Sequence, residues 1–209
     1  MNDNNTPKKR KNVRVLLRDV RISFPHLDAP TENALNPSAP PKYSAAFVFE
    51  PGSDAHKTAA AAIAAVADAT WEPKYAQRLR DPMAEKQPLH RGDDRQKVYD
   101  GYAGMMYLSA SNREQPELRD ADPRIKITDA REIRQKFLPG YRVNAVVEFW
   151  PETRYSQRVC AQLVGVQFAG YADVFGGAAV EPCDFPDVSE QASASQVYDG
   201  TIAEEDVPF

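Results

Sequence analysis

The stretch GYRVNAVVEFW, residues 140–150, alternates more regularly than any other part of this chain. Its apolar parity holds Tyr141, Val143, Ala145, Val147 and Phe149. The other parity includes Arg142, Asn144, Glu148 and Trp150. A period of two with one apolar side is typical of a β-strand that has one face in a core and the other in solvent. We therefore predict a half-buried strand here.

A hairpin is predicted directly after this strand. Residues 151–156 carry the turn signals, residues 157–168 return as the partner strand, and Gly176-Gly177 ends the folded part. Towards the start of the chain, residues 13–24 alternate as well, and their apolar parity changes at Arg18-Asp19. Such a change predicts a β-bulge, which lets a long strand bend around a small barrel. We expect Pro25 to end this strand.

The middle of the chain predicts two more strands and one main helix. Residues 25–42 contain five prolines and are predicted to be an exposed loop, followed by a strand over 43–50. An alanine-rich helix is predicted from the cap Ser53 to Thr70, with a short helix near 74–80 and core positions for Trp71 and Tyr75. Residues 97–111 predict a strand bent at two glycines, and 125–127 a brief one; the segments between are predicted loops.

These elements predict a mainly β fold. Five to six strongly bent strands with one Ala-rich helix and long loops favour an OB-like β-barrel, with a jelly roll or an open β-sandwich as the structural alternatives. We expect three parts: a flexible basic N-terminal arm at 1–12, an OB-like domain at 13–180, and a disordered acidic C-terminal tail at 181–209.

Charge is distributed unevenly along the chain. The formal net charge is −4, but residues 181–209 hold eight acidic residues and no Lys or Arg, which leaves +4 on residues 1–180. Most of that excess lies in the arm, at Lys8–Lys11, so the predicted barrel is almost neutral. A nearly neutral barrel that binds nucleic acid must concentrate its positive charge on one face.

The C-terminal sequence EEDVPF combines acids with an apolar end. Glu204, Glu205 and Asp206 precede Val207, Pro208 and Phe209. Acidic C-termini often serve only solubility. This one resembles the tip of bacterial single-stranded DNA-binding proteins, with Val207 where those usually have Ile. The resemblance implies a tail that recruits replication and repair proteins and competes with DNA for the protein's own groove.

A second resemblance covers most of residues 13–177. Arg21-Ile22-Ser23-Phe24-Pro25, Lys42-Tyr43-Ser44, Gly165-Val166-Gln167-Phe168 and Phe175-Gly176-Gly177 look like short motifs of phage-encoded OB-fold single-stranded DNA-binding proteins. The resemblance implies an OB fold and the coating of single-stranded DNA during phage replication or recombination, in the host cytoplasm. It implies no catalytic residues and no cofactor.

Basic and aromatic residues at neighbouring positions are the candidate DNA contacts, because unpaired bases stack on rings while phosphates need cations. The hairpin interleaves Arg154, Tyr155 and Arg158, and the strand before it adds Arg142 and Trp150. The strand from Lys97 carries Tyr99, Tyr102 and Tyr107; of these we favour Tyr107 and expect Tyr102 inside the core. Arg113 begins the next loop. The predicted ssDNA-binding set is Lys97, Tyr107, Arg113, Arg142, Trp150, Arg154, Tyr155 and Arg158.

The residues give less support to other functions. The acids Asp93, Asp94 and Asp100, or Asp120, Asp122 and Asp129, are candidate Mg²⁺ ligands for a nuclease, but they lie in charged loops without a supporting His or Lys. Cys160 and Cys183 have no partners at metal-ligand spacing, and no apolar run is long enough to span a membrane. We therefore expect a non-enzymatic protein without cofactor or metal. Strand annealing, a structural β-barrel without a nucleic-acid role, and a homodimer remain open.

Overall fold

Seven strands and three α-helices make up the part of the chain that the computed structural model describes, which is residues 12–32, 36–81, 86–94 and 98–176. The strands are β1 (Val13–Thr31), β2 (Lys42–Phe49), β3 (Leu89–Arg91), β4 (Met106–Asn112), β5 (Glu117–Arg119), β6 (Arg142–Glu152) and β7 (Arg158–Gly170). The helices are α1 (Asp54–Thr70), α2 (Pro73–Arg78) and α3 (Ala130–Lys136). A 3₁₀ turn covers Gly92–Asp94.

Five of these strands close into a barrel. Hydrogen-bonded neighbours follow the order β4-β2-β1-β6-β7, and a parallel bridge between Ser111 of β4 and Gln162 of β7 joins the two ends. The short strands β3 and β5 are added beside β4 and β7. This is the five-stranded OB arrangement, so the predicted OB-like barrel is confirmed against the jelly roll and the open sandwich.

The central strand β6 matches its sequence pattern. Val143, Ala145, Val147 and Phe149 are fully buried, and the alternating residues of the strand are only partly covered or exposed. β6 lies between β1 and β7, antiparallel to both. The hairpin connection runs over residues 153–157, close to its predicted position.

β1 is longer than predicted. The bulge expected at Arg18-Asp19 is present, because the register with β6 shifts between Leu17 and Val20. Pro25, however, does not end the strand, which continues to Thr31. Pro25 falls within a second register shift, between Ser23 and His26, where the ladder with β2 is already interrupted. Proline lacks an amide proton, and a bulge is one of the few places in a strand that tolerates it.

α1 follows its prediction. Ser53 caps it, with the side-chain oxygen accepting a hydrogen bond from the amide of His56. The helix buries small residues together with Ile63 and Val66, and it packs against β1 and β6. Small side chains let the helix backbone lie close to the barrel. Trp71 is buried beside it and Tyr75 packs against the same core, as predicted.

Several predictions between α2 and β6 were wrong. The strand predicted from Lys97 begins only at Met106, since Gly101 and Gly104 have positive φ and turn the chain over residues 100–104. Two predicted loops contain the short strands β3 and β5. Helix α3 was not predicted; Asp129 caps it by accepting a hydrogen bond from the amide of Glu132. Residues 125–127 provide only a single bridge, between Lys126 and Arg119.

No helix within the described residues is long and apolar enough to cross a membrane.

Candidate nucleic-acid interface

Small side chains form the floor of a shallow groove on the outer face of β2 and β4. Ser44 pairs with Ser111, and Ala46 pairs with Ser109. Residues directly opposite each other in an antiparallel pair point to the same face. The alternate pair, Ala45 and Ala110, belongs to the core. The groove therefore has a floor on which a ligand can approach the sheet backbone closely, and its volume is about 430 Å³.

Aromatic side chains form one wall of this groove. Phe24 of β1 and Tyr99 meet edge to face, with ring centroids 4.9 Å apart, and their residues are 43% and 36% exposed. Behind them lie the buried rings of Tyr102 and Tyr107, whose centroids are 5.3 Å apart. The outer two rings offer the aromatic surface and the inner two support it.

The turn that carries Tyr99 is tied down at several points. Asp93 accepts a hydrogen bond from the amide of Gly104 at 2.9 Å, and Asp100 accepts one from the amide of Gly176 at 3.0 Å. At Gly101, φ is +75°, and a Cβ there would lie 2.1 Å from the ring of Phe175. Only glycine fits at this contact, so the turn and residues 175–176 pack directly against each other.

The β6–β7 hairpin presents a second aromatic and basic group. Tyr155 is 81% exposed, and the guanidinium carbon of Arg154 lies 5.1 Å from its ring centroid. Glu152 accepts hydrogen bonds from the amides of both residues, at 2.6 and 3.3 Å, which fixes the turn. Arg158 is exposed at the start of β7. Charge and ring therefore lie together in space at Arg154 and Tyr155.

Trp150 lies next to this hairpin, half-buried on the outer side of β6 and opposite Cys160 of β7. Burial raises the pKa of the Cys160 thiol, and the neighbouring Arg158 partly opposes that rise. A thiol of this kind is mostly protonated at neutral pH and is a poor nucleophile.

The remaining predicted contacts are dispersed. Arg113 is exposed two residues beyond Ser111, at the end of the groove floor. Arg142 lies at the far end of β6 from Trp150, eight residues or about 27 Å away, and pairs with Asp19 at 2.6 Å. Tyr107 is only 8% exposed. The fold thus buries most of its ring between Tyr102 and His90 rather than in the groove. Lys97 and the tail residues 204–209 lie outside the described residues.

Sequence reasoning missed the groove floor and Phe24. The residues 22–24 had been assigned a regular alternation, which places Phe24 in the core with Ile22. The bulge breaks this alternation and turns Phe24 outwards. Pro25 was the available signal, because a proline inside a strand indicates a bulge.

The acids considered as metal ligands have structural partners. Asp120 pairs with Lys136 and Asp122 with Arg124, which holds the pKa of each carboxyl below its usual range. Asp129 caps α3. Within the described ranges, no three His, Cys, Asp or Glu side chains come together as a metal site.

The groove and the hairpin occupy the positions at which OB barrels bind oligonucleotides. That site comprises the face of the second and third barrel strands, here β2 and β4, and the loop between the fourth and fifth, here the β6–β7 hairpin. Fold and site together define a barrel of the OB class, with its groove at the position where such barrels bind oligonucleotides.

The chain belongs to the family described as "Enterobacter phage Enc34, ssDNA-binding protein", whose model matches residues 13–196. A relative named "Putative protein p50", from Acyrthosiphon pisum secondary endosymbiont phage 1, is 33% identical over 184 residues, which cover 85% of this chain and 95% of the relative. The predicted membership in a phage family is thereby confirmed.

Solved structures show the same fold. The single-stranded DNA-binding protein from bacteriophage Enc34 in complex with ssDNA superposes with a TM-score of 0.58 at 21% identity, covering 78% of this chain and 89% of that one. Its C-terminal truncation gives a TM-score of 0.56 at 20% identity, with 78% and 88% covered.

Proposed function

We propose that this protein binds single-stranded DNA without sequence preference and coats it during phage replication or recombination. The observation that carries the proposal is the groove on β2 and β4, which combines a floor of small side chains with an exposed aromatic wall. Family membership supports the same ligand. We infer no catalytic step and no cofactor, and we place the protein in the host cytoplasm.

Stacking explains the preference for single strands. Each unpaired base has a face that stacks on an aromatic ring, and such a contact contributes about 1–3 kcal/mol regardless of the base. Phe24 and Tyr99 provide this surface at the groove, and Tyr155 provides it at the hairpin. Ser44, Ser109 and Ser111 add small hydroxyl groups without a rigid pattern of donors, so the floor favours no particular base edge.

Exposed cations after the groove floor and on the hairpin are proposed to complement the phosphates. Arg113 follows the floor, and Arg154 and Arg158 extend from the hairpin. Each phosphate neutralised on a single strand contributes about −0.7 to the slope of log affinity against log salt. Binding should therefore combine a salt-dependent part with a salt-independent stacking part. Lys97 and Arg142 remain proposed contacts.

The test is fluorescence anisotropy of labelled oligo(dT) across a salt series, using the full chain. We expect saturable binding that weakens with salt and that differs little among base compositions. Incubation of the same oligonucleotide with Mg²⁺ should leave it intact. No rise in anisotropy in dilute buffer would contradict DNA binding. Cleavage of the oligonucleotide would contradict a purely binding role.

The acidic segment 181–209 is proposed to compete with DNA for this surface. A tethered polyanion acts at an effective concentration in the millimolar range, which is enough to exclude weak ligands while long single strands still bind. DNA binding would release Glu204–Phe209 for replication or recombination proteins. Deleting 181–209 should tighten binding, most at low salt and most for duplex DNA. Unchanged affinity would contradict competition without affecting DNA binding itself.

A homodimer and strand annealing remain predictions. Sedimentation at several concentrations tests the first. Acceleration of pairing between complementary oligonucleotides tests the second.

A further inference from the structure

Among the described residues that line the groove, His26 is the only one whose side chain can carry a positive charge. The others offer aromatic rings, methyl groups and hydroxyls, and none of these lining residues is Lys, Arg, Asp or Glu. Arg113, Arg154 and Arg158 lie outside the lining. A phosphate that enters the groove therefore meets one ionisable nitrogen base there, the imidazole of His26.

The core packing of β1 sets the direction of His26. Ile22 and Leu27 are both fully buried, and the bulge between Ser23 and His26 lets both of them face the core. His26 immediately precedes Leu27, so the alternation of the strand points it to the opposite, outer face. The residue is exposed there, at the edge of the groove floor.

His26 completes a polar row that crosses three strands. His26 pairs with Ser44 of β2, and Ser44 pairs with Ser111 of β4. Paired residues point to the same face, and neighbouring strands are about 4.8 Å apart, so the imidazole and the two hydroxyls lie side by side over about 10 Å. A protonated imidazole and two rotatable hydroxyls all donate hydrogen bonds, which suits the oxygens of a phosphate.

The imidazole has no counter-ion within the protein. The side chain of His26 has no hydrogen-bond or ion-pair partner among the residues that the structure describes. The nearest acid along β1, Asp28, is already paired with Arg134 at 2.7 Å. A positive charge at His26 is therefore left for a ligand to neutralise.

Other ionisable groups lie around this polar row. Those in the groove wall or beside the row along β1, β2 and β4 are Tyr99, Asp28, Lys42, Arg113 and Glu114. Tyrosine, lysine, arginine and carboxyl side chains ordinarily titrate outside the range from about pH 5.5 to about pH 7.5, whereas imidazole titrates near the middle of it. A change of pH in this range therefore acts on the groove through His26.

We propose that His26, with Ser44 and Ser111, forms a phosphate subsite on the groove floor whose strength depends on pH. The inference rests on the proposed binding of single-stranded DNA, and it adds a charged contact that is separate from the aromatic wall. The protonated imidazole donates a hydrogen bond to a phosphodiester oxygen and neutralises one negative charge. The bound phosphate in turn favours the protonated form, so DNA binding takes up a proton and the affinity rises as pH falls.

Three full-length variants separate the charge from the shape of the side chain. His26→Gln keeps a polar side chain that cannot be protonated, and His26→Arg carries a permanent charge. His56→Gln is the matched control among the three histidines of the chain. It removes an imidazole on α1, outside the groove lining, whose Nδ1 accepts a hydrogen bond from the amide of Gly52 at 2.9 Å.

Affinity is measured by anisotropy with oligo(dT), whose bases do not titrate in this range, at about pH 5.5 and about pH 7.5. The unaltered chain and His56→Gln should bind about three- to tenfold more tightly at the lower pH, as expected for one charged contact in an open groove. The affinity of His26→Gln should change by less than about twofold between the two pH values. His26→Arg should bind at both pH values about as tightly as the unaltered chain does at the lower one.

The salt dependence identifies the phosphate as the ligand of this charge. For the unaltered chain, the slope of log affinity against log salt should be steeper by about 0.7 at the lower pH, the value for one additional phosphate contact. The slope for His26→Gln should be the same at both pH values. Because His26 is exposed, its replacement should leave the melting temperature almost unchanged. His26→Arg tests the charge by itself if His26→Gln proves less stable.

Three results would overturn the phosphate subsite. They are an equal loss of affinity for His26→Gln at both pH values, a pH dependence of His26→Gln as large as that of the unaltered chain, and a failure of His26→Arg to bind tightly at the higher pH. Affinity of the unaltered chain that did not change with pH would also overturn the subsite and leave the proposed function standing. If the unaltered chain ignored oligo(dT) at both pH values, the proposed function itself would fall, which distinguishes the two failures.

Discussion

Removing the two hairpin guanidiniums should weaken DNA binding in a way that depends on salt. Arg154 and Arg158 are both exposed. Arg154 lies in the hairpin connection, and Arg158 follows directly after it. If each contacts one phosphate, Arg154→Ala/Arg158→Ala should reduce the slope of log affinity against log salt by about 1.4. A fourfold change in salt concentration then changes the ratio of the two affinities, that of the unaltered chain to that of the variant, by about sevenfold. The variant should be most impaired at low salt, and this ratio at about 50 mM should be about seven times its value at about 200 mM.

A stacking contact at the same hairpin should behave differently. Tyr155→Ala removes a ring that is 81% exposed and carries no charge. We expect a loss of about 1–3 kcal/mol in binding free energy that is the same at every salt concentration. Stability should change little in either variant, because exposed side chains away from the core usually contribute less than about 0.5 kcal/mol.

The control for the charge effect is Arg124→Ala. Arg124 is also exposed, and it lies beyond β5, which pairs with β7 near Gln167. Gln167 is nine residues from Arg158 along β7, or about 30 Å. This variant should therefore keep the original slope. An unchanged slope in the hairpin double variant, or an equal reduction in Arg124→Ala, would refute phosphate binding at the hairpin.

Two further predictions concern stability. Gly140→Ala should lower the free energy of unfolding in urea by at least about 2 kcal/mol. The reason is that φ is +100° at Gly140 and a Cβ there would lie 2.2 Å from the carbonyl oxygen of Asp173. An unchanged urea midpoint would contradict this packing. Hydrogen bonds from Asn12 and then Arg14 lower the pKa of Glu148 below its usual 4.5. The charged carboxylate therefore stabilises the folded state above about pH 4.5. This contribution is lost as pH falls through the lower pKa of the folded state. Glu148→Gln should therefore be less stable than the unaltered chain at pH 7, and the difference should shrink in acid; a difference independent of pH would show that the carboxylate charge contributes nothing.

The regular alternation of β6 and the change of parity at the first bulge of β1 were predictable, whereas the second bulge of β1 and the turns before β4 were not. β6 needed only the rule that side chains alternate between faces, and the cap at Ser53 fixed the start of α1 locally. β1 was predicted correctly through its first bulge and as far as the second, between Ser23 and His26. The length of β4 was not predictable, because the left-handed turn at Gly101 depends on the ring of Phe175, which packs against it.

The candidate site likewise has one part that was predictable from the sequence and one part that was not. The hairpin residues 154–158 are close in sequence, so their clustering required no knowledge of the barrel. Tyr107 was predicted to stack on a base, which requires exposure. It is buried, because the turn over residues 100–104 folds Tyr102 against it. Phe24, which the alternation of residues 20–24 puts on the same parity as Ile22, lines the groove.

The sequence by itself determined the mainly β barrel, the position of α1, the basic and aromatic hairpin, and the phage DNA-binding family. All of these depend on local periodicity or on residues that are neighbours in the chain. Only the tertiary structure decided that Ser44 and Ala46 of β2 meet Ser109 and Ser111 of β4 beneath Phe24. The physical reason is that a bulge shifts the register by one position and so reverses which face a side chain occupies. The two floor strands, β2 and β4, are also far apart in the sequence, so their pairing is not a local property of the chain.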